Sequence, residues 1–210
     1  AGCQDEETAA RRAEAWVKAV PMGDTKDSSF WEGKAKTLMR CYLHAAAHRG
    51  KGLAAVCSWV TNRRASEPLE ILDSVNPAWA AEIRQIVEAQ SDSSDDMFHA
   101  VATLVEPLSN PRLLAAVDTP ADESVDLEEL VLGGPNTLYL VSKGTSGSVA
   151  PIVAVFAAEV YHILDRASLR TRSERLDPPA RLVLDEVNTV APIPGLPNMM
   201  NDTGGRGISI

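Results

Sequence analysis

The sequence lacks the loop that cradles the phosphates of a nucleotide. No stretch of the form G-x-x-x-x-G-K-[ST] occurs in its 210 residues, and that pattern supplies the backbone N–H groups and the lysine that hold bound phosphates. Also missing is any run of about twenty apolar residues, the length that spans a bilayer. We therefore expect the chain itself to be soluble and to lack a complete phosphate site of its own.

Cysteine and positive charge are also scarce. The three cysteines form no C-x-x-C pair and are odd in number, which favours buried thiols in a reducing compartment over a disulfide framework or a zinc site. Lysine and arginine total 20 against 29 acidic residues, so the net charge is −9. This balance disfavours sequence-independent binding of nucleic acid by the overall surface. A local basic cluster, such as Arg166, Arg170, Arg172 and Arg175, is usually a solvated face but could touch phosphates.

Helical periodicity dominates the first half of the chain. Acidic residues begin a predicted helix over Asp5–Val20, and a broad apolar stripe predicts a second over Ser29–His48, buried on more than one side. Only helical spacings follow as far as Val117, so residues 29–117 are predicted to form an all-helical domain. Its His44 and His48 lie four residues apart, but without an H-E-x-x-H pattern a helix-surface pair is favoured over a metal site.

The composition changes beyond Asp118. A strong turn signal precedes the apolar, β-branched run Thr137–Val141, which predicts a strand. A strongly apolar helix over Val149–Ala167 and a second strand over Arg181–Val187 would complete a βαβ unit. Residues 118–210 are therefore predicted to form the edge of an α/β domain with parallel strands.

Two adjacent acids stand where the second predicted strand should end. Asp185 and Glu186 directly follow the apolar run Leu182–Leu184. An ATPase needs one carboxylate to hold hydrated Mg²⁺ and a second to orient the attacking water. The pair could supply both, or it could simply solvate the start of a loop. Arg206, flanked by two glycines, has the placement of an arginine finger, or it caps the preceding helix.

A glycine-serine loop, Lys143–Ser148, leads from the first predicted strand into the helix. Helix N-termini do bind anions. Here the lysine precedes the glycines, whereas in the phosphate-loop pattern it follows them. A plain connector is therefore favoured over direct nucleotide binding.

The order of these features resembles the type IV coupling proteins of conjugation, the TraG/TraD/VirD4 family. Phe30–Glu32 begins the helical domain, and Thr137–Leu140 forms a later strand. Leu184–Glu186 is then followed by Pro192 and by Gly205–Gly207. In the family the phosphate loop lies upstream of such a segment, so we expect this chain to be a fragment without the Walker A region.

The resemblance implies a fold class of α/β plus all-α: a partial RecA-like P-loop NTPase sheet over residues 118–210 that carries the helical domain. Residues 1–28 would be a helix of the nucleotide-binding domain or a linker. It implies ATP and Mg²⁺ as cofactors of the full-length protein. Asp185 would hold Mg²⁺ through water, Glu186 would orient the catalytic water, and Arg206 would act on a neighbouring subunit's nucleotide.

The resemblance also implies partners and a setting. The full-length protein would be a membrane-associated homo-hexamer that drives relaxase-bound DNA or a protein substrate into a type IV secretion channel from the cytoplasmic side. Its partners would be relaxosome proteins or secreted effectors, DNA in the assembled ring and channel components. The chain alone is expected to be monomeric, to bind ATP poorly and to hydrolyse none.

Two alternatives stay open at the level of sequence. One is a non-catalytic helical binding module that recognises relaxosome or effector proteins. The other is an FtsK-like double-strand DNA translocase. Such a translocase is not expected to carry so large a helical insertion before the predicted strand that contains Asp185 and Glu186.

Overall fold

Two units make up the fold, Ala1–Ser124 and Val125–Ile210, which we call the helical unit and the C-terminal unit. The computed structural model describes residues 2–20, 28–88, 92–120, 122–141, 149–187, 193 and 195–210. Each unit has buried apolar side chains of its own.

The helical unit consists of helices joined by short connections. Its elements are α1 (Glu6–Lys18), α2 (Ser28–His48), α3 (Leu53–Thr61), α4 (Ser66–Val75), α5 (Pro77–Val87), α6 (Asp92–Val105), a 3-10 helix (Glu106–Ser109) and α7 (Pro111–Val117). The all-helical part of the predicted fold is therefore confirmed, since helical spacing of apolar residues ran through the same stretch.

Capping residues set several of the helix starts. Asp5 accepts a hydrogen bond from the backbone N–H of Thr8 at 2.8 Å, and two acidic residues follow in the first turn of α1. Asn76 accepts one from the backbone N–H of Trp79 at 3.1 Å, just before the proline that opens α5. Each cap satisfies a backbone donor that the helix itself leaves unpaired.

The central element of the helical unit is α2. It packs against α1, α3, α4, α5 and α6, and Leu38, Met39 and Tyr42 on it are fully buried. Burying side chains of this size contributes about 1.5–3 kcal/mol each. The predicted burial of α2 on more than one side is confirmed.

Buried polar contacts tie α1 to distant parts of the helical unit. The indole Nε1 of Trp16 donates to the carbonyl oxygen of Leu104, 88 positions away, at 2.9 Å. The Nδ2 atom of Asn76 donates to Oε1 of Glu6, 70 positions away, at 2.8 Å. Because a buried polar group without a partner is costly, these bonds favour one placement of α1.

One helix cap comes from far along the chain. The carboxylate of Asp118 accepts hydrogen bonds from the backbone N–H groups of Leu53, at 2.5 Å, and Ala54, at 3.1 Å, and so caps α3. The residue before α3 is Gly52, where a Cβ atom would lie 1.8 Å from Oδ1 of Asp118. Glycine at this position is therefore what lets the carboxylate reach the helix end.

The C-terminal unit combines helices with a minimal sheet. Its elements are α8 (Leu127–Leu132), α9 (Ala150–Leu169), β1 (Ala180–Arg181), α10 (Leu196–Asp202) and β2 (Ile208–Ser209). The two strands are parallel, with Ala180 opposite Ile208. The backbone N–H groups of Ala180 and Leu182 donate to the carbonyls of Gly207, at 2.9 Å, and Ser209, at 2.8 Å.

Helix α9 and the sheet share the core of the C-terminal unit. Leu164 of α9 is buried with Leu176 and Ile208, and Leu182 packs against this cluster. Leu184 packs against a second cluster around Ala157 of α9 and Ile193. Alternate residues beyond β1 therefore point towards α9, the two-residue period of an extended strand.

The predicted α/β part of the fold class is wrong. In the part of the chain that the structure describes, the β1–β2 pair is the whole sheet, and no RecA-like core is present. Thr137–Val141 is not a strand, and of Arg181–Val187 only Arg181 belongs to one. Apolar and β-branched residues favour strands, but a strand exists only where a neighbour accepts its backbone hydrogen bonds. Thr137–Val141 has no such neighbour among the described residues, although the predicted helix between the two runs is present as α9.

None of the described helices is both long enough and apolar enough to cross a membrane.

Candidate functional site

The two adjacent acids lie on the surface of the C-terminal unit. Asp185 and Glu186 are both exposed, and they follow Leu184, which is turned towards α9. The backbone of Glu186 has a φ of 51°, a left-handed conformation that ends the extended run. The acids therefore follow an extended apolar stretch but not the predicted strand, and no neighbouring strand among the described residues carries a partner group towards them.

Arg206 is engaged within its own chain. Its guanidinium forms an ion pair with the carboxylate of Asp165 on α9, and the hydrogen bond from that pair raises the pKa of Arg206 above its ordinary value. Tyr161 lies close by, and its pKa is raised by burial and then by the charge of Asp165. No hydrogen bond or ion pair joins Arg206 to the two acids among the described residues. The contact with Asp165 accounts for its position without a nucleotide, and the finger role stays a prediction.

The residues present do not fit a complete ATP–Mg²⁺ site. Such a site needs carboxylate oxygens for the metal and backbone N–H groups with a lysine for the phosphates. Asp185 and Glu186 supply two adjacent carboxylates, but the described residues hold no group of three or more side chains able to bind a metal ion. The phosphate loop is missing from the sequence. The assigned roles of the two acids therefore stay predictions for the full-length protein.

Two features of the sequence fall outside the described residues. All of Lys143–Ser148 and Pro192 lie in segments that the structure does not describe. The structure does describe the basic cluster between residues 166 and 175: Arg170 pairs with Glu128 at 3.1 Å, and Arg175 donates to the carbonyl of Gly204 at 2.9 Å. Part of this cluster therefore holds the C-terminal unit together.

One member of the histidine pair of α2 lies in the core: His44 is 2% exposed, whereas His48 is exposed to solvent. The rings of His44 and His48 meet edge to face with centroids 4.5 Å apart, and His44 also meets the ring of Trp79 at 5.0 Å. The Nδ1 atom of His44 is 2.8 Å from the carbonyl oxygen of Cys3. Since a carbonyl only accepts, Nδ1 carries the hydrogen. The prediction of a helix-surface pair is therefore wrong for His44, which lies on α2 and packs against α5 and the turn before α1.

The surroundings of His44 disfavour its charged form. Burial lowers its pKa below the usual value, the bond to the Cys3 carbonyl opposes this, and the charge of His48 lowers it further. Glu6 and Asp5 favour the charged form more weakly, while the Trp79 ring carries no charge. The neutral imidazole is the form that the fold accommodates, because the charged form loses its hydration on burial.

We predict that acidification destabilises the chain through His44. The folded pKa is lower than the unfolded value of about 6.5, so the unfolded state binds the proton first. The free energy of unfolding should be steady above about pH 6.5 and fall as the pH drops through the folded pKa. Urea unfolding between pH 7.5 and about pH 5 measures this.

Two controls assign the acid effect to His44. His44→Asn keeps a donor near the Cys3 carbonyl but cannot titrate, so the slope in this range should flatten. His99 is exposed, and His99→Gln should leave the slope as it is. Glu14, whose pKa Lys18 and Lys36 hold below its usual value, titrates in a lower range. A slope that survives in His44→Asn would contradict the assignment.

A surface groove runs between α2 and α5 of the helical unit. It has a volume of about 370 Å³, and we call it the α2–α5 groove. Its lining includes Phe30, Gly33, Lys34 and Thr37 from α2, with Glu82 and Gln85 from α5. Phe30 is 54% exposed. It is the larger of the two large apolar side chains, Phe30 and Val75, that the described part of this unit presents to solvent. An exposed aromatic beside a concave surface is a common anchor for a protein partner.

The charges in the α2–α5 groove are unevenly neutralised. Glu82 forms an ion pair with Arg40, and Arg40 in turn lies over the ring of Trp79 at 4.7 Å. Lys34 lies over the ring of Phe30, with Nζ 5.6 Å from its centroid. The charge that remains available to a partner is therefore the positive charge of Lys34, next to an apolar ring.

The sequence alone did not single out this groove. Phe30, Lys34 and Thr37 have the helical spacing of one face, so periodicity could have placed them together on α2. Their juxtaposition with Glu82 and Gln85 depends on how α5 packs on α2, and no local pattern encodes that contact.

Comparison with known proteins finds no family model, no curated protein and no solved structure that matches this chain.

Proposed function

We propose that this chain is a recruitment module of a conjugative coupling protein. In this role the helical unit binds relaxosome or effector proteins and performs no chemistry of its own. The resemblance of the sequence to the coupling-protein family supplies the class of partner. The proposal does not depend on a RecA-like core, which the described residues lack.

The observation that carries the proposal is the α2–α5 groove. It lies on a unit whose large apolar side chains are otherwise mostly buried, so an exposed phenylalanine there is unlike its surroundings. Aromatic residues anchor protein interfaces because they bury a large area at a small loss of side-chain entropy.

The groove also defines the chemistry of its occupant. Lys34 offers a cation beside the Phe30 ring, while the charge of Glu82 is neutralised by Arg40. A segment that carries an apolar side chain next to a carboxylate complements both features. A relaxosome or effector protein that exposes such a segment is the expected partner, on the cytoplasmic side of the cell membrane.

We predict that filling the groove abolishes recruitment without unfolding the chain. A Cβ atom at Gly33 would meet nothing within 4 Å, so Gly33→Leu should occupy the groove while α2 is retained. Phe30→Ala removes the aromatic anchor. Each change should weaken binding of the purified relaxase, or of a secreted effector of the same transfer system, by about tenfold or more. Biolayer interferometry with the immobilised 210-residue chain measures this.

A matched variant tests whether a loss of binding is specific to the α2–α5 groove. Ala81 is exposed on α5 and does not line the groove, so Ala81→Leu adds the same side chain nearby and should leave binding unchanged. Circular dichroism checks that all variants keep their helices. If no relaxosome or effector protein binds the chain, or if Gly33→Leu and Phe30→Ala bind as the original does, the proposal is wrong.

ATP turnover distinguishes this proposal from a motor. A recruitment module should show no hydrolysis in a preparation free of contaminating ATPases. Turnover by the purified chain that disappears in Glu186→Gln would instead favour the motor that the resemblance implies for the full-length protein.

A further inference from the structure

Large apolar side chains face solvent mainly in the C-terminal unit. Nine of the eleven such residues described are in this unit. Two places account for five of them: four lie in the segment Thr137–Val141, which we call the unpaired segment, and the fifth is Val183, just after β1. Contiguous exposed apolar groups on a folded protein mark places where another surface binds.

The unpaired segment has the character of a strand without a neighbour. The exposed fractions of Leu138, Tyr139, Leu140 and Val141 alternate, at 46%, 83%, 45% and 92%. This is the two-residue period of an extended strand. Its residues make no hydrogen bond to another described residue, so no backbone donor or acceptor of the segment is used within the described part of the chain.

The sheet offers a matching edge. The backbone N–H groups of Ala180 and Leu182 point towards β2. In a parallel pair the groups of the intervening residues point the other way, so Arg181 and Val183 direct theirs to the outer side of β1. We call this side the open edge. Val183 adds an apolar side chain that is 83% exposed.

We propose that two copies of this chain bind each other by exchanging strands, each adding its unpaired segment to the open edge of the other. Among the described residues of a single chain, both the segment and the edge are without a strand partner, and a second copy supplies the complement of each. The exchange is reciprocal, so the contact is symmetric and closes as a dimer. This differs from the monomer that the sequence suggests for the isolated chain.

Charge favours the unpaired segment as the strand that crosses between copies. Each chain carries a net charge of −9, so two copies repel, and a contact without acidic residues avoids adding to that repulsion. The unpaired segment contains no charged residue, and the open edge presents Val183 and the cationic Arg181. Adding a strand to an exposed edge also satisfies main-chain groups that bond to no other described residue.

Cysteine cross-linking between two different copies tests the exchange. Tyr139→Cys and Val183→Cys each place a thiol on an exposed face, and strands that pair lie about 4.8 Å apart, within disulfide range. Both variants carry Cys57→Ser, while Cys3 and Cys41 are buried and burial raises the pKa of the Cys41 thiol to about 12. Mixing and oxidising the two variants should yield a covalent species of twice the 22.5 kDa chain mass.

A matched cysteine controls for random collision. Val125 is also strongly exposed in the C-terminal unit, and Val125→Cys mixed with Val183→Cys should give little of the double-mass species. A chain that carries both Tyr139→Cys and Val183→Cys reports pairing within one copy. If that chain closes on itself while the mixed variants stay separate, or if the control pair cross-links equally well, the exchange is refuted.

Sedimentation equilibrium tests the same idea without cysteines. The original chain should shift from monomer to dimer as its concentration rises. Leu138→Pro with Tyr139→Pro removes one N–H donor towards each side of the unpaired segment, and neither donor bonds to another described residue. This variant should need about tenfold more protein to dimerise. A chain that stays monomeric at every concentration, or a proline variant that dimerises equally well, overturns the proposal.

Discussion

Replacing Trp16 with alanine should lower the free energy of unfolding of the helical unit by about 3–5 kcal/mol. The indole is 5% exposed, and its Nε1 atom donates a buried hydrogen bond to the Leu104 carbonyl at 2.9 Å. The substitution therefore leaves a cavity beneath α1 and an acceptor without a donor. Since small proteins are stable by about 5–15 kcal/mol in total, urea unfolding followed by circular dichroism should show a clear drop in the midpoint.

Trp16→Phe separates the two causes of that loss. It keeps most of the buried ring but removes the donor to Leu104, so the loss should be about 1–3 kcal/mol. If the phenylalanine variant is as unstable as the alanine variant, packing contributes little at this site. If both variants unfold with the original protein, Trp16 does not hold α1 in place and the described packing is wrong.

Leu164→Ala should destabilise the C-terminal unit by about 2–5 kcal/mol. Leu164 is 3% exposed and joins α9 to Leu176 and Ile208, so its loss opens the cluster that holds helix against sheet. Amide hydrogen exchange followed by mass spectrometry should show faster exchange across α9 and at the β1–β2 hydrogen bonds.

The matched control for Leu164 lies on the same helix. Leu169 is 53% exposed, and Leu169→Ala should change stability by less than about 0.5 kcal/mol. Equal effects of the two substitutions would mean that the cluster around Leu164 does not support the unit. Faster exchange confined to the ends of α9 would lead to the same conclusion.

The helical half of the fold could be predicted because its signals are local. Apolar residues at helical spacing and capping residues such as Asp5 and Asn76 act within a few positions of the chain. The predicted helix Ser29–His48 is observed as Ser28–His48. The two most buried tryptophans, Trp16 and Trp59, lie in the core of the helical unit.

The sheet could not be predicted in the same way. Thr137–Val141 has the composition of a strand, yet it finds no neighbour and remains exposed. The short strand Ala180–Arg181 pairs instead with Ile208–Ser209, a partner nearly thirty positions away, because strand pairing depends on contacts distant in sequence. The RecA-like part of the expected fold class was wrong for this reason.

The candidate site could also be predicted only in part from the sequence. The sequence shows Asp185 and Glu186 after an apolar run and Arg206 between glycines, and their roles in a nucleotide site stay predictions. Only the tertiary structure showed Arg206 paired with Asp165 of α9 and the α2–α5 groove beside Phe30. Neither contact has a signature within one element.

The sequence by itself determined that the first half of the chain is helical, that Ser28–His48 is buried on more than one side and that no phosphate loop is present. The tertiary structure decided the rest: the Asp118 cap on α3, the α2–α5 groove, and the single pair of strands with an open edge. The physical reason is the range of the interactions. Hydrogen bonds within a helix and local caps join residues that are close in sequence. Grooves, strand pairs and caps supplied by a residue distant in sequence form only when distant segments have packed together.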